Sequence, residues 1–329
     1  MSSPSKPCPD CESSVDRRTF LRAVGGVALV GAAMPAVFDP RFAHAHPPSA
    51  KSAAETGVAR FYESLSDAQK KEVCFPFEHE LRKRISANWH ITKHKIDDPF
   101  YSKDQRAIIN EIVKNVSSED GYQRLLKQTE YDDGGVGAYS VAVFGTPGTG
   151  KFQWELTGRH LTLRADGDSV DKAAFGGPIV YGHGEEDPKE NLYHYQTKQT
   201  NEVFKALDAK QMEKALVPKA PGESTVTIKG DEGPFPGIAV SELSADQKTL
   251  VEQTLKVLLD PYRHEDVHEV MSILKSTGGV DKLHMAFYQQ GDLKDDKVWD
   301  IWRVEGPAFV WHFRGAPHVH AYINIGMKS

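Results

Sequence analysis

Residues 152–163, with the sequence FQWELTGRHLTL, decide the fold because apolar and polar residues alternate along them with period two. This pattern is typical of a β-strand with one buried face, and it predicts one continuous strand with Trp154 and His160 facing inward. Residues 139–144 form a second strand-like run, and the glycine-rich residues 145–150 between the two runs predict a hairpin turn. The chain therefore changes near residue 138 from helical to sheet-forming sequence.

Helical patterns flank this hairpin, and a second group of strands ends the chain. Ser66, Ser102 and Ser118 are placed as N-caps of helices that precede residue 138, and the apolar spacing of 77–89 predicts a further helix there. The pattern predicts an α+β fold, in which an antiparallel sheet built from hairpins carries packed helices and an N-terminal helical region precedes it. The later elements are helices at 198–215, 243–259 and 264–276, then strands at 285–288, 298–304, 308–314 and 318–325.

The N-terminus carries the pattern of a twin-arginine signal peptide. Arg17 and Arg18 precede an apolar run over 23–37, and Ala43-His44-Ala45 matches an A-x-A cleavage site. The run is too short and too rich in glycine and alanine for a membrane span, and the alternative is an N-terminal amphipathic anchor that is retained. We therefore predict export by the twin-arginine machinery to the periplasm or the extracellular space, with no stable membrane anchor after cleavage.

This interpretation divides the chain into three parts. Residues 1–45 are the signal peptide, the small and polar residues 46–57 are a flexible linker, and residues 58–329 form a single α+β domain. Cys8 and Cys11 would leave with the signal, so Cys74 remains as the one cysteine and no intramolecular disulfide can form. The net charge of −6 gives no indication of a nucleic-acid partner.

A glycine-rich stretch resembles a phosphate-binding loop but lacks its chemistry. Residues 145–151, GTPGTGK, are followed by Phe152 where a P-loop needs Ser or Thr for magnesium, and a strand follows where a helix is required. We therefore interpret these residues as a hairpin turn and do not expect nucleotide binding.

The histidines near the C-terminus are the main candidate for chemistry. His318 and His320 stand two apart in an extended run, so both side chains are expected on one side of the strand. Imidazole pairs suit zinc, copper, iron and nickel, and the inward-facing His160 is a candidate third ligand. The alternative is that these histidines are buried and hydrogen-bonded, for example to backbone carbonyls.

Short signatures in a fixed order resemble a bacterial exported family that is known as a domain of unknown function. They are FGxP at 144–147, WxxxGxH at 154–160, GP and YG at 177–182, GI at 237–238, RxxGP at 303–307 and the terminal HxH at 318–320. The resemblance covers roughly residues 60 to 325 and implies a shared histidine site without an established activity. The family usually has Gly-His-His in the second signature, whereas this chain has Arg159 at the middle position.

The sequence thus predicts a metal ion bound by His160, His318 and His320, with His183 on a glycine-flanked loop as a candidate fourth ligand. Copper is favoured, with zinc and iron as alternatives, because no carboxylate base is placed clearly enough to indicate hydrolysis. A copper or iron oxidoreductase is expected; the alternatives are a three-histidine zinc hydrolase and a non-catalytic exported protein that binds a small molecule. No catalytic residue and no substrate can be assigned.

Large side chains near the signatures are candidates for the lining of a substrate pocket. The residues suggested for it are Trp154, Tyr181, Arg303 and Trp311. Arg303 and Glu305 could anchor a substrate or act as a base, although a surface ion pair beside Gly306 is the favoured interpretation of these two residues.

Overall fold

The computed structural model describes residues 46–292 and 298–328. The predicted signal peptide, residues 1–45, lies outside the described residues. No helix in the described ranges is long and apolar enough to cross a membrane.

One large sheet organises the described residues, and it confirms the predicted α+β class. Its eleven strands form an open sheet in the order β1-β2-β3-β4-β5-β11-β10-β9-β8-β6, with β7 paired to β8. All pairings are antiparallel except the short parallel pairs β1 with β2 and β6 with β8. The strands are β1 (Cys74–Phe75), β2 (Ser140–Gly145), β3 (Phe152–Gly158), β4 (Leu161–Ala165), β5 (Ile179–His183), β6 (Leu216–Val217), β7 (Ile238–Ala239), β8 (His284–Tyr288), β9 (Ile301–Gly306), β10 (Phe309–Arg314) and β11 (Val319–Ile325).

Eight α-helices occur within the described ranges, and their starts follow ordinary capping chemistry. The side chains of Ser66, Ser102 and Ser118 each accept a hydrogen bond from the backbone N–H three residues later, as the sequence predicted, and Ser244 caps a helix in the same way. The helices are α1 (Ala53–Ser64), α2 (Asp67–Val73), α3 (Lys103–Asn115), α4 (Glu119–Asp133), α5 (His194–Lys205), α6 (Ala209–Ala215), α7 (Ala245–Leu259) and α8 (His264–Ser276).

The two faces of the sheet have different chemistry. On one face, strand residues such as Trp154 and Trp311 pack in apolar clusters with the helices. On the other face, alternate residues are polar and nevertheless buried, including Glu155, Arg303 and His312. Irregular segments around residues 75–91 and 217–236 cover this second face. Because these irregular segments cover the polar face of the sheet, its charged and hydrogen-bonding side chains are buried away from bulk solvent.

The predicted continuous strand over 152–163 is wrong, because the chain reverses within it. Gly158 pairs with Leu161, so Arg159 and His160 form a two-residue turn between β3 and β4. The buried apolar positions have even numbers in β3, as Trp154 and Leu156 show, and odd numbers in β4, as Leu161 and Leu163 show, so a change of phase in the alternation marks the turn. His160 has a φ of 56°, in the left-handed region where histidine is more frequent than most non-glycine residues.

Other boundaries also differ from the sequence predictions. The predicted linker over 46–57 is wrong from Ala53 onward, because α1 begins there and buries Glu55 completely. The predicted helix over 77–89 contains only the short 3-10 helix Glu80–Lys83, and the rest is extended chain that covers the sheet. The predicted helix over 198–215 is two helices, α5 and α6, because Asp208 caps a new helix.

The hairpin interpretation of residues 145–151 is confirmed. β2 ends at Gly145 and β3 begins at Phe152. Gly145 has a φ of 75°, and a Cβ there would lie 2.1 Å from the carbonyl oxygen of Lys151. Only glycine fits this tight strand-to-turn junction.

Candidate metal centre

Three imidazoles converge at one end of the sheet. His160 lies in the β3–β4 turn, His318 immediately precedes β11, and His320 is the second residue of β11. One ring nitrogen from each histidine lies within 4.8 Å of the other two, and no other group of three or more His, Cys, Asp or Glu side chains in the described ranges has such a geometry. The ring centroids are 5.2 Å apart for His160 and His318, 5.0 Å for His160 and His320, and 4.7 Å for His318 and His320.

The backbone of His160 is fixed on both sides. Its N–H donates to the carbonyl oxygen of Ala87 at 2.6 Å, and its own carbonyl accepts from the side-chain amide of Gln128 on α4 at 3.0 Å. Non-glycine residues with positive φ carry a strain of order 1–3 kcal/mol and persist where the surroundings hold them. Chain segments on opposite sides thus hold the turn, which aims the imidazole at the other two histidines.

A buried carboxylate orients the His160 ring. Asp132 Oδ2 lies 2.8 Å from His160 Nδ1, and Asp132 Oδ1 accepts from the backbone N–H of Gly184 at 2.9 Å. The Asp132 side chain has no exposed surface. Since an ionised carboxylate is acceptor-only, it stabilises the tautomer with the proton on Nδ1 and leaves the Nε2 lone pair free. A histidine that donates Nδ1–H to a carboxylate is the usual form of a histidine metal ligand.

A second carboxylate, that of Glu223, orients the His320 ring in the same way. Glu223 Oε2 lies 2.8 Å from His320 Nδ1, and Glu223 Oε1 is paired with Arg314 Nη1 at 2.8 Å. Burial raises the pKa of Glu223, but the hydrogen bond to His320 and the charge of Arg314 outweigh it, so the pKa lies below its ordinary value. Glu223 is therefore ionised at neutral pH, and the Nε2 lone pair of His320 also faces the centre of the cluster.

The distance between two of the ring nitrogens fits a shared ion. His318 Nε2 and His320 Nε2 lie 3.1 Å apart. Two nitrogens that each lie about 2.0–2.1 Å from one zinc ion at the tetrahedral angle are separated by roughly 3.3 Å. The observed separation therefore matches two ligands of one ion with an N–metal–N angle slightly below the tetrahedral value.

The alternative, a hydrogen bond between the two rings, conflicts with a neighbouring group. Arg314 Nη2 lies 3.3 Å from His318 Nε2, and a guanidinium nitrogen can only donate. If His318 Nε2 accepts from Arg314, it has no proton to donate to His320 Nε2, which lies 3.1 Å away. An imidazole nitrogen has a single lone pair, so a metal ion bound to His318 Nε2 would replace the Arg314 contact.

The protonation state of the cluster suits metal binding. Burial, the neighbouring His320 and the charge of Arg314 lower the pKa of His318 to about 4. Burial also lowers the pKa of His320, more than the hydrogen bond to Glu223 raises it. Both rings are therefore neutral at physiological pH, and neutral imidazole is the form that binds a metal.

Two glycines make room for this arrangement. A Cβ on Gly182 would lie 2.3 Å from the carbonyl oxygen of Val319 and 3.1 Å from the Cβ of His160. A Cβ on Gly184 would lie 2.7 Å from Asp132 Oδ1. The chain around 181–184 therefore approaches β11 and the Asp132–His160 pair more closely than any larger residue permits.

His183 does not belong to the cluster. It is the last residue of β5 and not part of a flexible loop, so the predicted loop position is wrong. Its Nδ1 accepts from the backbone N–H of Leu192 at 3.3 Å, and its ring packs against Tyr131 with centroids 4.7 Å apart. We therefore do not retain His183 as a fourth ligand.

The residues suggested for a substrate pocket do not line one pocket. Trp154 is fully buried in one helix-facing cluster, while Tyr181 and Trp311 lie in another with ring centroids 6.2 Å apart. Arg303 is on the opposite face of the sheet from Trp311. The expected surface pair of Arg303 and Glu305 is instead buried, with side chains 3% and 2% exposed.

The sequence patterns did not indicate three residues that contact the imidazoles, Asp132, Glu223 and Arg314. Asp132 is 28 residues before His160, and Glu223 is 97 residues before His320 in the irregular segment 217–236. No local spacing connects such pairs. The one available signal was that Arg314 lies four residues before His318, close enough to meet it across a tight turn.

The comparisons with known proteins give a family but no activity. The family described as "Protein of unknown function (DUF3500)" matches residues 49–323. No curated protein and no solved structure matches the chain. The match includes all three histidines of the cluster. Its extent agrees with the resemblance inferred from the ordered signatures.

Proposed function

The chain belongs to the DUF3500 family, and we propose that it is an exported protein that binds one transition-metal ion through His160, His318 and His320. Export is proposed from the twin arginines at 17–18 and the A-x-A site at 43–45. The twin-arginine route carries folded proteins, so a metal ion could be inserted before export. In this proposal the mature protein acts in the periplasm or outside the cell.

The observation that supports the metal site best is the pair of carboxylates behind the histidines. Asp132 and Glu223 each contact Nδ1 of a different ring at 2.8 Å, which leaves Nε2 of both rings free to bind an ion. A histidine cluster with a purely structural role has no need of two carboxylates that fix the same tautomer. This arrangement raises the basicity of the ligands and holds their rings in place.

We propose copper as the bound ion and electron transfer as its chemistry. The three ligands are all imidazoles, and among divalent first-row metals such nitrogen sites bind Cu²⁺ most tightly. The site is accessible to solvent, because His318 and His320 are only partly buried. A bound copper ion would supply one-electron oxidation and reduction at this open side, while the protein's own groups hold the rings and exclude other ligands.

Zinc is the second candidate, with hydrolysis as the corresponding reaction. Carboxylate–histidine pairs of the kind formed by Asp132 and Glu223 are common around zinc. A zinc ion with three histidine ligands and one open position lowers the pKa of water and so supports hydrolysis. The identity of the metal therefore separates the oxidoreductase from the hydrolase.

The proposal is tested by the metal content of protein purified from the exported fraction. We expect close to one equivalent of copper by elemental analysis, and an electron paramagnetic resonance signal with nitrogen hyperfine structure from the imidazoles. His318→Ala/His320→Ala should lose the metal, whereas His90→Ala, which changes an exposed histidine outside the cluster, should retain it.

Each outcome has a definite meaning. One equivalent of zinc without copper would support the hydrolase and reject the oxidoreductase. Folded wild-type protein that takes up no copper or zinc when either ion is added would reject the metal site and favour a non-catalytic binding protein. Protein found only in the cytoplasm would reject export and leave the metal site unaffected.

A further inference from the structure

A pocket separate from the histidine cluster lies on the polar face of the sheet. It has a volume of about 330 Å³, lies between β8, β9 and the segment 217–236, and is open to solvent on one side. Its floor carries Tyr288 on β8 and Arg303 and Glu305 on β9, and its outer wall comes from the covering segment. We call it the Arg303 pocket.

The Arg303 guanidinium has unused hydrogen-bonding capacity. Its Nε contacts His312 Nδ1 at 3.4 Å and its Nη2 donates to the carbonyl oxygen of Thr225 at 2.8 Å. Nη1 lies 3.6 Å from the nearer oxygen of Glu305, which is too long for a hydrogen bond. Among the described residues, the other N–H groups of this buried side chain have no hydrogen-bond acceptor.

The charges around the pocket do not balance. Among the described residues of the lining, Glu305 is the one carboxylate, and Lys229 already pairs with its Oε1 at 2.8 Å. Arg303 and Lys219 add two further positive charges to the lining. His312 adds no further positive charge, because burial and the neighbouring Arg303 lower its pKa to about 3 and keep it neutral. The single carboxylate of Glu305 is shared between Lys229 and the buried Arg303, and an anionic ligand would reduce the remaining excess of positive charge.

The rest of the lining is apolar or weakly polar. Val217, Ala220, Pro221 and Pro236 supply apolar surface, and Thr225 and Thr227 supply small polar side chains. The Tyr288 hydroxyl is buried at the pocket wall and has no hydrogen-bond partner in the described ranges. A bare inorganic anion would leave the apolar walls without contacts, whereas an organic acid would use both kinds of surface.

We propose that the Arg303 pocket binds a small organic anion, with its carboxylate against Arg303 and its apolar body against the wall formed by Val217, Ala220 and Pro236. A guanidinium binds a carboxylate through parallel N–H donors on two of its nitrogens, and Nη1 together with the second N–H of Nη2 can form this contact. The ligand site is independent of the metal proposed above. Its nearest link to the histidine cluster is the covering segment, which carries both Thr225 and Glu223.

The test uses benzoate as the probe and isothermal titration calorimetry on the mature protein. Benzamide has the same shape without the charge, and inorganic phosphate has the charge without the apolar body. We expect one benzoate per chain, at least about tenfold weaker binding of benzamide, and no measurable heat from phosphate, because hydrogen bonds to charged groups contribute roughly 1.5–3 kcal/mol. Equal affinity for benzamide, or phosphate binding as tight as benzoate, would overturn the proposal.

Variants locate the bound benzoate. Ala220→Phe fills the pocket from its partly exposed wall and should abolish binding without disturbing the buried polar groups. Arg303→Gln should weaken benzoate binding by at least about tenfold and bring it close to that of benzamide. His318→Ala should bind benzoate as the wild type does; loss of binding in this variant would place the anion on the metal and reject the Arg303 pocket. Unchanged binding by Ala220→Phe would reject it as well.

Discussion

Replacement of Asp132 by asparagine should weaken metal binding without removing a ligand. Asp132 lies behind His160, with Oδ2 at 2.8 Å from Nδ1 and Oδ1 at 2.9 Å from the N–H of Gly184. Asparagine has one oxygen and one NH₂ group, so it can accept from only one of these two donors. If its oxygen stays with Gly184, its NH₂ group faces Nδ1 of His160 and favours the tautomer with the proton on Nε2, where the metal must bind.

The expected magnitude follows from the role of such groups in other metal sites. Loss of an outer carboxylate typically reduces metal affinity by about 10–100-fold, which corresponds to roughly 1.4–2.7 kcal/mol. The opposite orientation of the asparagine also carries a penalty, because its NH₂ group would then face the N–H of Gly184 with no acceptor between them. We therefore expect weaker binding in either orientation.

The assay is competition for copper against a chromophoric chelator, with Asp133→Asn as the matched control. Asp133 is the next residue on α4, but its side chain is exposed and outside the cluster. Equal metal affinities for the two variants would contradict the proposed role of Asp132. Thermal denaturation of the metal-free proteins separates an effect on the fold from an effect on the site.

Three further predictions concern the fold. Gly182→Ala should destabilise the protein by about 1–3 kcal/mol in urea denaturation, because its Cβ would lie 2.3 Å from the carbonyl oxygen of Val319; unchanged stability would show that β5 and β11 can separate freely. Arg263→Met should destabilise it by about 3–5 kcal/mol, because Arg263 donates two hydrogen bonds to the fully buried Glu55, at 2.9 and 2.7 Å; a stability equal to wild type would mean that Glu55 is protonated without its partner. Burial and neighbouring carboxylates raise the pKa of Glu269 to about 8, so the folded state binds more protons than the unfolded state and stability should fall as pH rises from about 5 to 8. Glu269→Gln should flatten this pH dependence, and the same slope in both proteins would count against the raised pKa.

The first hairpin, the last four strands and most helices could be predicted because their signals are local, whereas β1, β5, β6 and β7 were not predicted. The N-cap serines and the alternating residues of the last four strands act over a few positions, and the structure has elements at each of these places. The β3–β4 turn was harder to predict, because its two residues contain no glycine, asparagine or aspartate, and the one signal of it is that the buried apolar positions change from even numbers at Leu156 to odd numbers at Leu161. The burial of Glu55 could not be predicted. The residues around it are small and polar, and nothing in their local pattern indicates that they form a helix in which Glu55 pairs with Arg263.

The histidine cluster was predictable in part for the same reason. The spacing of His318 and His320 indicates that they are neighbours, and the ordered signatures connect them with His160. Two carboxylates, those of Asp132 and Glu223, orient two of the rings for an ion. They lie on a helix and on a covering loop that are far from the histidines in sequence and meet them only in the folded chain. His183 shows the opposite error, since flanking glycines suggested a mobile ligand but instead make room for His160 and Asp132.

The most direct test of the metal centre is anomalous diffraction from crystals of the exported, metal-replete protein, with data collected on both sides of the copper absorption edge. We expect one strong anomalous peak about 2.0–2.1 Å from an imidazole nitrogen of each of His160, His318 and His320, as in other histidine sites. A metal peak elsewhere in the molecule, or ordered density for the three rings with no peak between them, would contradict the proposed site.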